Sequence, residues 1–145
     1  MGLGTHIGLI LVYLGGSIGF NSWLIKGFMD TISPSLDEAA KVDGATEFQI
    51  FRRIIAPLSR PILIVIFVIT FIGIYSDFIL AAIFLKDKNL WTVAVGINTV
   101  FVDDFNADWG VIAASSVIAA TPIAVLFIFF QKQITGGLTA GSVKG

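Results

Sequence analysis

Cysteine is missing from the sequence, which excludes disulfides, thiolate metal sites and thiol catalysis and leaves the redox compartment open. Histidine occurs once, at His6. With no ligand partners nearby it reads as an interfacial polar residue rather than a metal or proton site. Charge is scarce: Asp, Glu, Lys and Arg supply 13% of the residues, where soluble domains carry about 25%. The net charge of −1 gives no reason to expect nucleic acid. No Gly-x-x-x-x-Gly-Lys-Ser/Thr phosphate loop is present, so the chain is not expected to hydrolyse ATP itself. The apolar run near Met1 lacks a basic leader and continues too far for a signal peptide.

What fills the space is apolar: 56% of the 145 residues are hydrophobic and the mean hydropathy is +0.92. The fold class expected is an all-α membrane protein with about three transmembrane helices. The first apolar run covers about 7–29, with Ser17, Asn21, Ser22 and Lys26 as its main polar interruptions. The second covers 61–85 with one charge, Asp77, and the third covers 111–130 with none. Each is long enough to span a bilayer at 1.5 Å per residue. Lys26, Lys41, Arg52, Arg53, Arg60, Lys132 and Lys144 lie on one side of these runs, against Lys86 and Lys88 on the other. That seven-to-two bias places the 33–57 loop and the C-terminus in the cytoplasm. The outer loop carries Asp87, Asp103, Asp104 and Asp108; within it, Thr92 to Val102 reads as a short re-entrant or interfacial helix.

Ten of the nineteen charged residues fall between Lys26 and Arg60, and this polar stretch organises the chain. Ser33 with Pro34, or a capping box of Ser35 and Glu38, starts a short helix that runs through about Val42. Gly44 is the natural turn. A second helix is expected from about Thr46 to Ile55, stopping at Pro57, with Phe48, Phe51 and Ile55 sharing its apolar face.

Asp77 stands out inside the membrane runs, because an ionisable group there is costly and needs a cavity or a partner. On a continuous helix it shares a face with Thr70, Gly73 and Ala81. Three readings are open for it: the substrate path, a structural hydrogen bond, or a carboxylate reaching the outer interface. Pro122 in the third run reads as a tolerated kink or a gating one. The tail, 131–145, reads by itself as a flexible Gly-rich end.

Glu38-Ala39-Ala40, Gly44 six positions on, Ile54 ten beyond that, and Pro57 resemble the "EAA" loop of ABC-importer permeases. Ala56 stands where that family usually has leucine. The resemblance runs from about Tyr13 to Gly145. It includes Trp23 to Phe28, Asp108-Trp109-Gly110, and the ending Gly137-Leu138-Thr139-Ala140-Gly141 with Val143-Lys144-Gly145. It points to the carbohydrate branch of the type I importers, of maltose type, and implies the C-terminal part of such a permease, with the missing part N-terminal.

Carried onto this chain, the resemblance implies a cytoplasmic helix–turn–helix that docks on a separate ATPase through Glu38, Ala39, Ala40, Asp43, Gly44 and Pro57. Ala39 and Ala40 would leave room for close approach. Thr70, Ser76 and Asp77 are the substrate-path candidates. The implied partners are ATP-binding subunits, a second permease subunit, an extracytoplasmic sugar-binding protein and membrane lipid. ATP and Mg would belong to the partner ATPase, with no cofactor on this chain and no enzymatic activity of its own. The location implied is the inner membrane of a prokaryote. Two other classes stay open: a three-span assembly or regulatory subunit, and a fragment of an ion-coupled carrier using Asp77.

Overall fold

Where water is scarce, backbone N–H and C=O groups must find partners within their own segment, and apolar runs of this length fold as helices. A computed structural model describes residues 4–102 and 109–139. Its regular elements are helices, with no strand among the described residues. In order these are α1 (His6–Met29), α2 (Pro34–Val42), α3 (Glu47–Ile50), a π-helical segment (Phe51–Ile55), α4 (Ala56–Leu58) and α5 (Arg60–Tyr75). There follow α6 (Ile79–Phe84), a 3₁₀ turn (Lys88–Leu90), α7 (Val93–Val102) and α8 (Trp109–Thr139).

α1 and the Trp109–Gln133 part of α8 are each long and apolar enough to cross a membrane. A third crossing exists only if Glu47–Leu58 and α5, which meet at 59°, count as one bent span. Within α1 and α8, 6% of each membrane-length window is buried, so nearly all of that apolar surface faces away from this chain.

Three expectations change. The run 61–85 is not one helix: α5 ends at Tyr75 and α6 starts at Ile79. At the break the Asp77 N–H turns to the Ile74 carbonyl at 3.3 Å, and the Asp77 Oδ1 accepts from the Leu80 N–H at 3.0 Å. An aspartate that bonds the backbone locally competes with the helix ladder, and here it wins. The face shared by Thr70, Gly73, Asp77 and Ala81 therefore does not continue past Tyr75.

The second change is at Pro57, which does not stop the helix. The π-helical segment comes first, with the Ala56 N–H reaching back to the Phe51 carbonyl, and α4 then carries Pro57 in its first turn. The wide turn relaxes the close fit between the proline ring and the preceding carbonyls that ends ordinary helices. The bend falls instead at Ser59, between α4 and α5. The third is the tail: α8 passes Pro122 and continues to Thr139, so 131–139 is helical where a flexible end was expected. The hydroxyls of Ser115, Ser116 and Thr121 donate to the carbonyls of Val111, Ile112 and Val117 at 2.7–2.9 Å, which is how polar residues sit in this helix at little cost. The stretch Thr92 to Val102 is helical as α7, with the Thr92 hydroxyl accepting from the Val95 N–H at 3.4 Å. Asp103, Asp104, Asp108 and residues 140–145 lie outside the described residues.

The chain forms two compact units. One consists of Met1–Ile18 and Val68–Phe129. Its core is Leu9, Ala81, Leu85 and Val95, with Tyr13, Leu80 and Trp91 packed against it. His6 Nε2 lies 2.8 Å from the Leu90 carbonyl, and the Tyr75 hydroxyl donates to the Ala119 carbonyl at 3.1 Å. The other unit consists of Gly19–Phe67 and Phe130–Gly145. Here Phe67 meets Phe130 edge-on at 6.0 Å, and Ser59, 3% exposed, satisfies its hydroxyl on the Ile55 carbonyl at 2.7 Å.

Candidate functional site

The helix–turn–helix from Ser33 to Leu58 is built by local chemistry that can be named residue by residue. Of the two possible starts, Ser33 with Pro34 is the one used: Ser33 is extended and proline occupies the first turn. The Ser33 hydroxyl makes no capping bond and lies 2.7 Å from the Ser35 hydroxyl. α2 ends at Val42, and Gly44 adopts φ +77°. The Gly44 N–H donates to the Lys41 carbonyl and the Ala45 N–H to the Ala40 carbonyl, both at 3.0 Å. These are the paired bonds of a Schellman end, which calls for a left-handed residue at this position. A Cβ at Gly44 would meet nothing within 4 Å, so the glycine is required by backbone conformation and not by crowding within the chain.

α3 opens with a reciprocal cap. The Gln49 side chain accepts from the Thr46 N–H at 2.9 Å, and the Thr46 hydroxyl accepts from the Gln49 N–H at 3.4 Å. Thr-x-x-Gln is the sequence signature of this capping box. Across the turn the Lys41 ammonium contacts the Asp37 carboxylate at 2.8 Å and the Glu47 carboxylate at 3.0 Å. Both contacts raise the Lys41 pKa above the ordinary lysine value, the Asp37 hydrogen bond most and the Glu47 one next. The sign follows for a cation with a raised pKa. The contribution is whole below the ordinary lysine pKa and fades only as pH rises through the raised value, so the link stays charged across the neutral range.

The predicted docking residues divide by exposure. Glu38, Ala39, Asp43, Gly44 and Pro57 are exposed, whereas Ala40 is buried. Of the two alanines, Ala39 is the exposed one. Val42, an apolar residue at the end of this polar helix, is 87% exposed. Phe48 and Phe51 are also exposed, and Ile50, 1% exposed, is the residue α3 turns inward. Two residues of the expected apolar face, Phe48 and Phe51, are thus presented outward, and Ile55 is half-buried. The loop displays a carboxylate, an alanine, an apolar Val42 and two phenylalanines on a fixed turn.

Thr70, Ser76 and Asp77 all fall in the first-described unit. Thr70 is half-buried in α5, while Ser76 and Asp77 form the break. Ser76 and Tyr75 border a cavity of about 210 Å³ with Val93, Ala119, Ala120 and Ile123. Asp77 accepts from the Leu80 N–H, and the buried Tyr13 hydroxyl interacts with its carboxylate without meeting the geometry of a full hydrogen bond. Tyr13 sits more than sixty positions away in sequence, so no spacing signal could have paired it with Asp77. No group of three or more His, Cys, Asp or Glu able to hold a metal occurs among the described residues.

A family model described as "Binding-protein-dependent transport system inner membrane component" matches residues 2–139. The maltose/maltodextrin transport system permease protein MalG of Vibrio vulnificus (strain YJ016) is 48% identical over 145 residues, covering all of this chain and 48% of that protein. MalG of Photorhabdus laumondii subsp. laumondii and MalG of Escherichia coli (strain K12) are each 46% identical over the same 145 residues and 48% of their own lengths. The chain spans about half the length of the curated relatives it matches.

Proposed function

This chain belongs to the family of binding-protein-dependent transport system inner membrane components, and we propose that it works as part of the permease subunit of an ATP-driven sugar importer. The observation that carries this is identity approaching one half over the whole chain to maltose/maltodextrin permeases. The substrate class proposed is accordingly maltose and maltodextrins. The membrane location follows from the family and from the apolar helices; the orientation, with the Ser33–Leu58 loop and the C-terminus cytoplasmic, is part of the proposal and is supported by the lysine and arginine bias. A separate ATPase would bind ATP and Mg, a second permease subunit would complete the path, and an extracytoplasmic binding protein would deliver sugar. The family match favours neither the three-span assembly subunit nor the ion-coupled carrier.

In this reading, Glu38, Ala39, Asp43 and Gly44 meet the ATPase, with Ala40 and Pro57 shaping the loop from within and behind. ATP-driven movement of that surface is passed through α4 and the bend at Ser59 into α5. Thr70, Ser76 and Asp77 are proposed to line the path, Ser76 at the cavity and Asp77 at the break it maintains. The test is uptake by the full-length permease reconstituted with its partners. Maltodextrin uptake is expected to stop when the ATPase is omitted and to continue when ion gradients are collapsed. Uptake that survives without the ATPase but not without the gradient would overturn the reading.

Orientation is checked separately in sealed cells. Ser35→Cys is expected to resist a membrane-impermeant thiol reagent, while Lys88→Cys reacts. Labelling of Ser35→Cys from outside would reverse the topology and remove the loop from any cytoplasmic ATPase.

A further inference from the structure

The Schellman end fixes the backbone through Ala45, but the joint between Ala45 and Thr46 lies beyond its hydrogen bonds, and α3 begins only after that joint. One side-chain link crosses it. Lys41, in the last turn of α2, reaches Asp37 one turn earlier on its own helix at 2.8 Å and Glu47, the first residue of α3, at 3.0 Å. Each group also stands where the helix ends favour its charge, the cation near a C-terminus and the Glu47 carboxylate at an N-terminus. A flexible lysine stem held at two carboxylates has little freedom left, and the first carboxylate aims it at the second.

We propose that Lys41 is a positioning residue of this loop: by bridging Asp37 and Glu47 across the turn, its ammonium sets the angle between α2 and α3. That angle determines how the surface of Glu38, Ala39 and Val42 is presented relative to the α3–α4 arm that leads to the bend. The proposal rests on the coupling reading above. All three side chains are partly solvated, at 46%, 40% and 80% exposure for Lys41, Asp37 and Glu47. Loss of the link therefore widens the range of angles and does not unfold the loop, and the effect to look for is graded.

In the full-length permease reconstituted with its ATPase, Lys41→Met is expected to lower sugar transported per ATP hydrolysed roughly three- to fivefold, the scale of an exposed ion-pair network. Complex yield and basal hydrolysis stay unchanged. Lys41→Arg restores the ratio. Rising salt erodes coupling in the wild type but not in Lys41→Met, because exposed pairs are screened. A readout independent of function comes from spin labels at Ser35→Cys and Phe48→Cys, placed uniquely since the chain has no cysteine and any elsewhere in the permease is replaced by serine. Their distance distribution is expected to be narrow in the wild type and Lys41→Arg and broad in Lys41→Met.

A Lys41→Met permease with wild-type coupling and a narrow distribution overturns the proposal, as does failure of Lys41→Arg to rescue. If Gly44→Val uncouples the transporter and Lys41→Met does not, the coupling loop stands and the role of Lys41 falls. If neither variant affects coupling, the coupling reading falls, and the label distribution still decides whether Lys41 sets the angle.

Discussion

Gly44→Val is expected to cut sugar uptake and substrate-stimulated ATP hydrolysis at least about tenfold, whereas Glu38→Ala cuts them only a few-fold. The difference comes from what each residue supplies. At φ +77° a non-glycine residue costs on the order of 1–3 kcal/mol, with a β-branched side chain at the upper end. Glu38 is exposed, and an exposed ion pair to a partner is worth about 0–1 kcal/mol. Because a Cβ at Gly44 meets nothing in this chain, two further variants separate the causes. Gly44→Ala adds strain with almost no reach. Gly44→Asn adds reach at a residue type that accepts the left-handed conformation. Uncoupling by alanine as well as valine identifies the Schellman turn as the working feature; uncoupling by asparagine identifies a close-fitting partner surface. Normal coupling in both Gly44→Val and Glu38→Ala would end the assignment of this loop to an ATPase.

The second large effect belongs to Asp77. Asp77→Leu is expected to abolish uptake and to lower the amount of assembled permease, while Asp77→Asn assembles normally and loses roughly threefold in uptake. The leucine removes the acceptor of the Leu80 N–H at the start of a six-residue helix whose Ala81, like the Leu85 that follows the helix, is fully buried. A cap of this kind contributes about 0.5–2 kcal/mol in water, and an orphaned N–H costs more where water is excluded. Asparagine keeps an oxygen in the same place and loses only the charge. Assembly measured by co-purification and uptake by labelled maltodextrin read the two roles apart. Wild-type uptake in Asp77→Asn would remove the carboxylate from the substrate path while leaving its capping role intact.

How far the sequence could be read depended on whether a feature was local. Pro34, Val42 and Gly44 mark the first loop helix because proline at a start and glycine after an end act through their own backbones. The family motif was legible for the same reason, being a fixed spacing within one loop. Pro57 misled, because its usual effect on a helix is set aside by a π-helical turn that nothing in Phe51–Ile55 announces. The break at Ser76 to Phe78 was hidden inside an unbroken apolar run, where hydropathy counts residues but not helices. Asp77 was noticed for its charge, and its capping bond appears only once Leu80 is placed. Ile50, not Phe48 or Phe51, points inward, a choice the amphipathic pattern alone does not make. Tyr13 beside Asp77 is a contact made by the fold, which no periodicity encodes.

A π-helical turn holds more residues than an α-helical turn of the same rise, so the stretch Phe51–Ile55 acts as a phase element between the docking surface and the bend at Ser59. Were it rewound as α-helix with all five residues kept, everything on its N-terminal side would rotate about the axis by roughly 100°, the angle one residue subtends in a helix of 3.6 residues per turn. Glu38 and Ala39 would then present themselves to a different quarter of the surroundings with every local bond of the loop still made. The aim of the loop is therefore carried by the winding of this one turn. Sequence change between positions 51 and 55 is compatible with that aim where it keeps the wide turn, or removes the turn and one residue together.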